Sequence, residues 1–137
     1  RNHALNHSRS WLLSGSQPPG VAAAQKASIE VLRDEPQHVE KLWHNTNYFR
    51  DELSSLGFDT GVSTTPIIPV MCGDSSVAKG LSNEMLNHGV MAGAIVFPMV
   101  ARDKARVRTQ MSAGLTQEDL DEVLRIFESA GKTVGLI

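Results

Sequence analysis

The stretch ARVRTQM, residues 105–111, alternates with period two. In an extended chain successive side chains point to opposite sides, so Ala105, Val107 and Thr109 share one face and Arg106 and Arg108 the other. This pattern predicts a strand with a mainly apolar side and a charged side. Upstream, Arg102-Asp103-Lys104 forms a polar turn, and Val90–Phe97 reads as the neighbouring strand. Still further upstream, Ile67–Cys72 is a short apolar run between turn residues, a strand in which Pro69 signals an edge or a bulge. Downstream, Thr116-Gln117-Glu118-Asp119 is a helix-capping pattern with Asp119 in place of the more usual Glu or Gln. Leu120, Val123, Leu124 and Phe127 then give that helix a core face.

The remaining segments read as helices. Gly73-Asp74-Ser75 supplies an N-cap, and Val77, Ala78, Leu81, Met85 and Leu86 form a stripe ending at Gly89. Pro36 opens a helix on which Val39, Leu42, Trp43, Phe49, Leu53 and Leu56 recur at spacings of three and four. Thr46 fills the gap in that stripe, Arg50 and Asp51 fall on the other side, and Gly57 is the stop signal. Pro18-Pro19 begins another helix, running to about Arg33, since proline suits a first turn whose N–H groups lack partners. The order α, α, β, α, β, β, α predicts an α+β domain: a sheet of about three strands, antiparallel or mixed, covered by helices on one face. Residues 57–65 read as a flexible link.

Composition narrows the function. The 137 residues are 41% hydrophobic and 20% charged, which suits one globular core rather than disorder. A net charge of -2 argues against nucleic-acid binding through bulk positive charge. The single cysteine, Cys72, can form neither an internal disulfide nor a thiolate cluster, so a reducing, cytoplasmic setting fits best. The apolar-leaning run 90–101 contains Gly93 and Pro98 and falls short of the roughly 20 residues a membrane helix needs. The chain starts at Arg1 without Met, and the expectation is a processed chain or part of a longer one.

Few residues offer chemistry. His3 and His7, four apart, could share a metal on one helical turn but have no third ligand nearby. His38, His44 and His88 read as solvated, and Cys72 as a small core residue rather than a nucleophile. Phosphate-loop, dinucleotide-binding, serine-hydrolase and zinc-protease motifs are absent. Two features remain. Arg106 and Arg108 are suited to grip a carboxylate through two parallel hydrogen bonds, or else they keep an edge strand soluble. Ser14-Gly15-Ser16, ahead of the helix at Pro19, is either an anion site at a helix N-terminus or an ordinary turn.

The segments SGSQPPGVAAA (14–24), TPIIPVMCGD (65–74) and ARVRTQMSAGLTQEDLD (105–121) together resemble the carboxy-terminal third of the α-oxoamine synthases. These are pyridoxal-phosphate-dependent acyl-CoA transferases of the aspartate-aminotransferase fold. The likeness runs from about Ser8 to Ile137, and VRTQMSA with IIPVM lies nearest to the 2-amino-3-ketobutyrate coenzyme A ligase branch. The resemblance implies a small C-terminal domain of a fold type I enzyme, with residues 1–20 as a linker and 21–137 as the domain. It implies that Arg108 holds the α-carboxylate of a small amino acid and that Pro98 lies in the loop at the substrate entrance. Ser14 and Gly15 would reach the cofactor phosphate of the neighbouring subunit of a homodimer. It further implies pyridoxal phosphate as cofactor and acyl-CoA as second substrate, while none of Lys26, Lys41, Lys79, Lys104 and Lys132 has the context of the lysine that carries the cofactor. The chain alone would therefore lack catalytic residues and would bind the cofactor weakly or not at all.

The sequence departs from the family pattern at Gly15, where a hydroxyl or amide side chain is usual. It departs again at Leu115, where histidine is common, and at Ala101, where a second proline is common. Gly15 and Leu115 favour an alternative reading, a non-catalytic partner module that kept the fold. A second alternative is the small domain of an aminotransferase.

Overall fold

A computed structural model describes residues 1–8, 15 and 17–137. In chain order its elements are α1 (Asn2–His7), α2 (Pro19–Asp34), α3 (Gln37–Ser55), β1 (Ile67–Gly73), α4 (Ser75–Asn87), β2 (Gly93–Ile95), β3 (Ala105–Gln110) and α5 (Gln117–Thr133). The chain forms two compact units, Arg1–Pro36 and Gln37–Ile137. Helix α2 belongs to the first unit. Its proline sits at the start of the helix and Lys26 pairs with Glu30 one turn on. No residue of α2 is buried within its own unit, and Val21, Ile29, Val31 and Leu32 are exposed.

The second unit is the α+β layer pair anticipated from the sequence. β3 lies in the middle of a three-stranded sheet of order β1-β3-β2, antiparallel to both neighbours. The solvent-edge reading of the arginine strand is thereby overturned: both edges of β3 are paired, and the edge strands are β1, where Pro69 sits, and β2. A register irregularity between Met71 and Gly73 marks the end of β1. Ile68, Val70, Ala105, Val107 and Thr109 point to the covered face and are buried. Thr109 satisfies its hydroxyl by donating to the Ile68 carbonyl at 2.8 Å, so a polar side chain sits in the core without loss.

α4 lies across all three strands with Ala78, Leu81 and Met85 buried, α5 packs beside it, and α3 packs against α5 and β1. The rings of Phe49 and Phe58 meet Phe127 edge-on at 6.1 and 5.8 Å. Full burial of one such ring stabilises the fold by about 1.5–3 kcal/mol, so this trio anchors α3 and α5 to one another. α5 starts as its sequence demanded: Thr116 accepts from the Asp119 N–H, and the Asp119 carboxylate accepts from the Thr116 N–H at 2.8 Å.

Three expectations need correction. The apolar stretch 90–97 forms ladder pairs only over Gly93–Ile95: the Ala92 carbonyl is taken by the Ser82 hydroxyl at 2.6 Å, and the chain turns at residues 97–99, where the Met99 N–H donates to the Val96 carbonyl at 2.9 Å. The stripe on α3 buries Asn45, Thr46, Phe49 and Leu53, but Val39 and Trp43, near its start, remain exposed, as does Leu86 on α4. Segment 57–65 is no free link: Phe58 is buried in the core, and the Asp59 carbonyl accepts from the Met71 N–H at 2.8 Å.

Candidate functional site

The uncovered face of the sheet carries the charged side of β3. There Arg106 and Arg108 stand between Met71 and Pro69 of β1 and Ile95 and Gly93 of β2, and Gln110 is paired with Ile67 of β1 alone. Register puts Pro69 on one side of Arg108 and Gly93 on the other, and directly opposed residues share a face. The two arginines are not equivalent. Arg106 is half-buried, and its Nε donates to the Lys104 carbonyl at 3.0 Å, which closes the polar turn. Arg108 is exposed, and no hydrogen bond or ion pair holds its guanidinium among the described residues. A fork of five N–H donors on a rigid central strand, left without an acceptor, suits a planar carboxylate.

Two depressions meet at Arg108. The larger, a cleft of about 700 Å³, runs where β2 stops short of the end of β3, and its walls include Met91, Met99, Met111, Leu115 and Val123. The smaller, about 290 Å³, lies over the open face and is walled by Thr65, Ile95, Val100 and both arginines. The larger cleft is mainly apolar, with Arg108, Gln110 and Asp119 as its polar groups besides Thr109. Asp119 is committed to capping α5: the Thr116 N–H and hydroxyl hold its carboxyl below the usual range. Among the described residues that line the two depressions, Arg108 is the unengaged cation and Asp119, the carboxylate, is engaged.

The loop between β2 and β3 shapes the rim. Pro98 itself does not line either depression, although Met99 and Val100 after it do. The guanidinium of Arg102 stacks over the Phe97 ring at 4.4 Å, fastening the two ends of that loop. Leu115 forms part of the cleft wall, and Ala101 is exposed. Ser14 lies outside the described residues. Gly15 is exposed in the first unit. His3 and His7 stack at 4.2 Å on α1. Burial pushes the Cys72 thiol up, and its Sγ donates to the Val70 carbonyl at 3.3 Å, so it is a poor nucleophile.

Two residues escaped the sequence reading. Asn45, on α3, is buried and donates from Nδ2 to the Ser112 and Leu115 carbonyls at 2.9 and 3.1 Å. It thereby clamps the loop that leaves the arginine strand and carries Leu115 into the cleft wall. An asparagine interrupting an apolar helical stripe was the available signal. Gly93, beside Arg108, was visible only as a glycine inside a run assigned to a strand.

Three kinds of similarity accompany this geometry. Residues 1–127 match the model of the aminotransferase class I and II family. The chain is 52% identical over 129 residues to the 8-amino-7-oxononanoate synthase of Symbiobacterium thermophilum, covering 94% of this chain and 33% of that protein. It is 44% identical over 133 residues to a Thermus thermophilus protein named both 8-amino-7-oxononanoate synthase and 2-amino-3-ketobutyrate coenzyme A ligase, covering 97% and 34%. Serine palmitoyltransferase from S. paucimobilis, solved with a bound PLP–myriocin aldimine, superimposes with a TM-score of 0.88 at 27% identity. That alignment covers 99% of this chain and 35% of the enzyme. The chain thus spans about one third of the length of the proteins it matches.

Proposed function

The chain belongs to the aminotransferase class I and II family and, within it, to the α-oxoamine synthases, and from that premise we propose that it is the substrate-carboxylate domain of a pyridoxal-phosphate-dependent acyltransferase. The whole protein condenses a small amino acid with an acyl-CoA to give an α-amino ketone, releasing coenzyme A and, where the amino acid's carboxylate is lost, carbon dioxide. The observation that carries this reading is the exposed, unpartnered guanidinium of Arg108 on the central strand, at the meeting of two depressions. Arg108 binds the α-carboxylate through two parallel hydrogen bonds and so orients the amino acid.

The described residues do not fit pyridoxal phosphate by themselves. Neither depression is lined by a lysine, while Lys26 and Lys132 pair with Glu30 and Glu128. The electron-sink chemistry of that cofactor is accordingly assigned to the remainder of the polypeptide, and no step of it to these residues. In the same proposal residues 1–20 link to that remainder, Pro98 shapes the substrate entrance, and Ser14 with Gly15 contacts the cofactor phosphate across a homodimer. A cytoplasmic location goes with the single cysteine.

The test is an assay of the full-length protein loaded with pyridoxal phosphate, following coenzyme A release from acetyl-CoA and longer acyl-CoAs. Release that depends on added glycine, alanine or serine is the expected result. Amino transfer to a 2-oxo acid with no acyl-CoA requirement would instead make the protein an aminotransferase. Failure to bind any amino acid would favour the non-catalytic module, the reading that Leu115, in place of the family's common histidine, supports.

A further inference from the structure

Glycine inside a strand forgoes side-chain packing and weakens the ladder, so its presence calls for a reason. Gly57, Gly61 and Gly73 have theirs in positive φ, a conformation that side chains rarely adopt. Gly93 does not: its backbone lies outside that region, and a Cβ built there meets no atom within 4 Å. Neither backbone strain nor crowding within the fold accounts for it. What the position does have is a neighbour. Gly93 is the direct cross-strand partner of Arg108 on the uncovered face, where opposed Cβ atoms would stand about 4.5–5.5 Å apart. Both residues also line the larger cleft. On its other flank Arg108 is opposed by Pro69, which borders the smaller depression, so Gly93 marks the flank of Arg108 that borders the larger cleft.

We propose that Gly93 is a specificity-determining residue, whose missing side chain keeps open the passage from the cleft to the Arg108 guanidinium and lets the substrate carboxylate dock there. The inference rests on the carboxylate role of Arg108 given above. Any side chain at 93 would project onto the same face, beside the arginine stem, and occupy the volume that two parallel N–H···O bonds require. Because the fold leaves that space empty, filling it affects access and not folding. Alanine or valine in place of a strand glycine should, if anything, favour the strand.

The experiment compares Gly93→Ala, Gly93→Val and Arg108→Lys in the full-length, cofactor-loaded protein. Glycine and serine serve as amino-acid probes, and the readouts are the KM for amino acid, the KM for acyl-CoA and the melting temperature. Gly93→Val should raise the amino-acid KM about tenfold and Gly93→Ala about two- to threefold, the range that one or two misplaced methyl groups produce. The acyl-CoA KM should stay unchanged and the melting temperature equal or higher. An amino-acid KM within twofold of the parent in Gly93→Val overturns the inference. So does a joint loss of melting temperature and both KM values, which would mean that polypeptide, not substrate, packs against Gly93. Arg108→Lys separates the two claims: if it leaves the amino-acid KM untouched, the carboxylate reading fails whatever Gly93 does.

Discussion

Replacing Arg108 by alanine is the most direct test of the site. The side chain is exposed and no described residue accepts from it, so its removal should change stability by no more than about 0.5 kcal/mol. Its loss to the substrate is larger. Hydrogen bonds to charged groups contribute about 1.5–3 kcal/mol each. Because Arg108 is open to solvent in this unit, the low end applies, and a bidentate pair amounts to about 3 kcal/mol. At about 1.4 kcal/mol per factor of ten, the amino-acid KM should rise about 100-fold while the acyl-CoA KM moves little. Arg108→Lys keeps the charge but loses the planar fork, so an intermediate rise of about tenfold is expected. Steady-state kinetics and calorimetric titration of the full-length protein with glycine would measure both. An amino-acid affinity within twofold of the parent, at an unchanged melting temperature, would remove Arg108 from the site and with it the assignment of the cleft.

Two further predictions concern the scaffold. In Gly131→Ala the new Cβ would stand 2.5 and 2.8 Å from Phe58 Cζ and Cε1 and 3.0 Å from Ile137 Cγ1. Crowding of about 1–3 kcal/mol outweighs a helix-propensity gain of up to about 1 kcal/mol, so a thermal melt should show a loss of several degrees, and a rise would refute the packing around Phe127. Asp119 has its carboxyl held down by the Thr116 N–H, so its contribution to stability is present above the ordinary carboxylate pKa and is lost as pH falls through the lowered, folded-state value. Melting temperatures taken downward from pH 5 should therefore fall more steeply for the parent than for Asp119→Asn; parallel curves would sink the capping account.

How much of this was legible beforehand follows from the range of the interactions. The arginine strand and the capping box on α5 rest on residues within a few positions of one another, and both formed where periodicity placed them. The α3 stripe was right in its centre and wrong at its start, because periodicity marks a face without saying where a neighbour ends: Val39 and Trp43 project beyond the core. Phe58 was assigned to a link for the opposite reason, since a lone aromatic has no period, and its partner Phe127 lies far along the chain. The same holds at the site. Arg108 was legible from alternation. Its setting beside Gly93 and Pro69, and the clamp from Asn45 to carbonyls 67 and 70 residues away, depend on pairings that local pattern does not encode.

The two faces of β3 make fold and site inseparable in one respect. Val107 and Thr109 enter the core while Arg106 and Arg108 leave it, and the side-chain period of a strand is two. A slip of one residue would drive a guanidinium under α4 and expose Val107, an outcome that buried-charge costs forbid. The register is held independently at two points: the Thr109 hydroxyl on the Ile68 carbonyl, and the Met111 N–H on the Pro66 carbonyl at 2.9 Å. A central strand flanked on both sides is a stiffer mount than an edge strand, and binding geometry for two parallel hydrogen bonds tolerates little drift. Placing Arg108, the proposed carboxylate ligand, on the one strand whose neighbours are both in place therefore lets hydrophobic burial on the inner face supply the positional accuracy that role needs on the outer one.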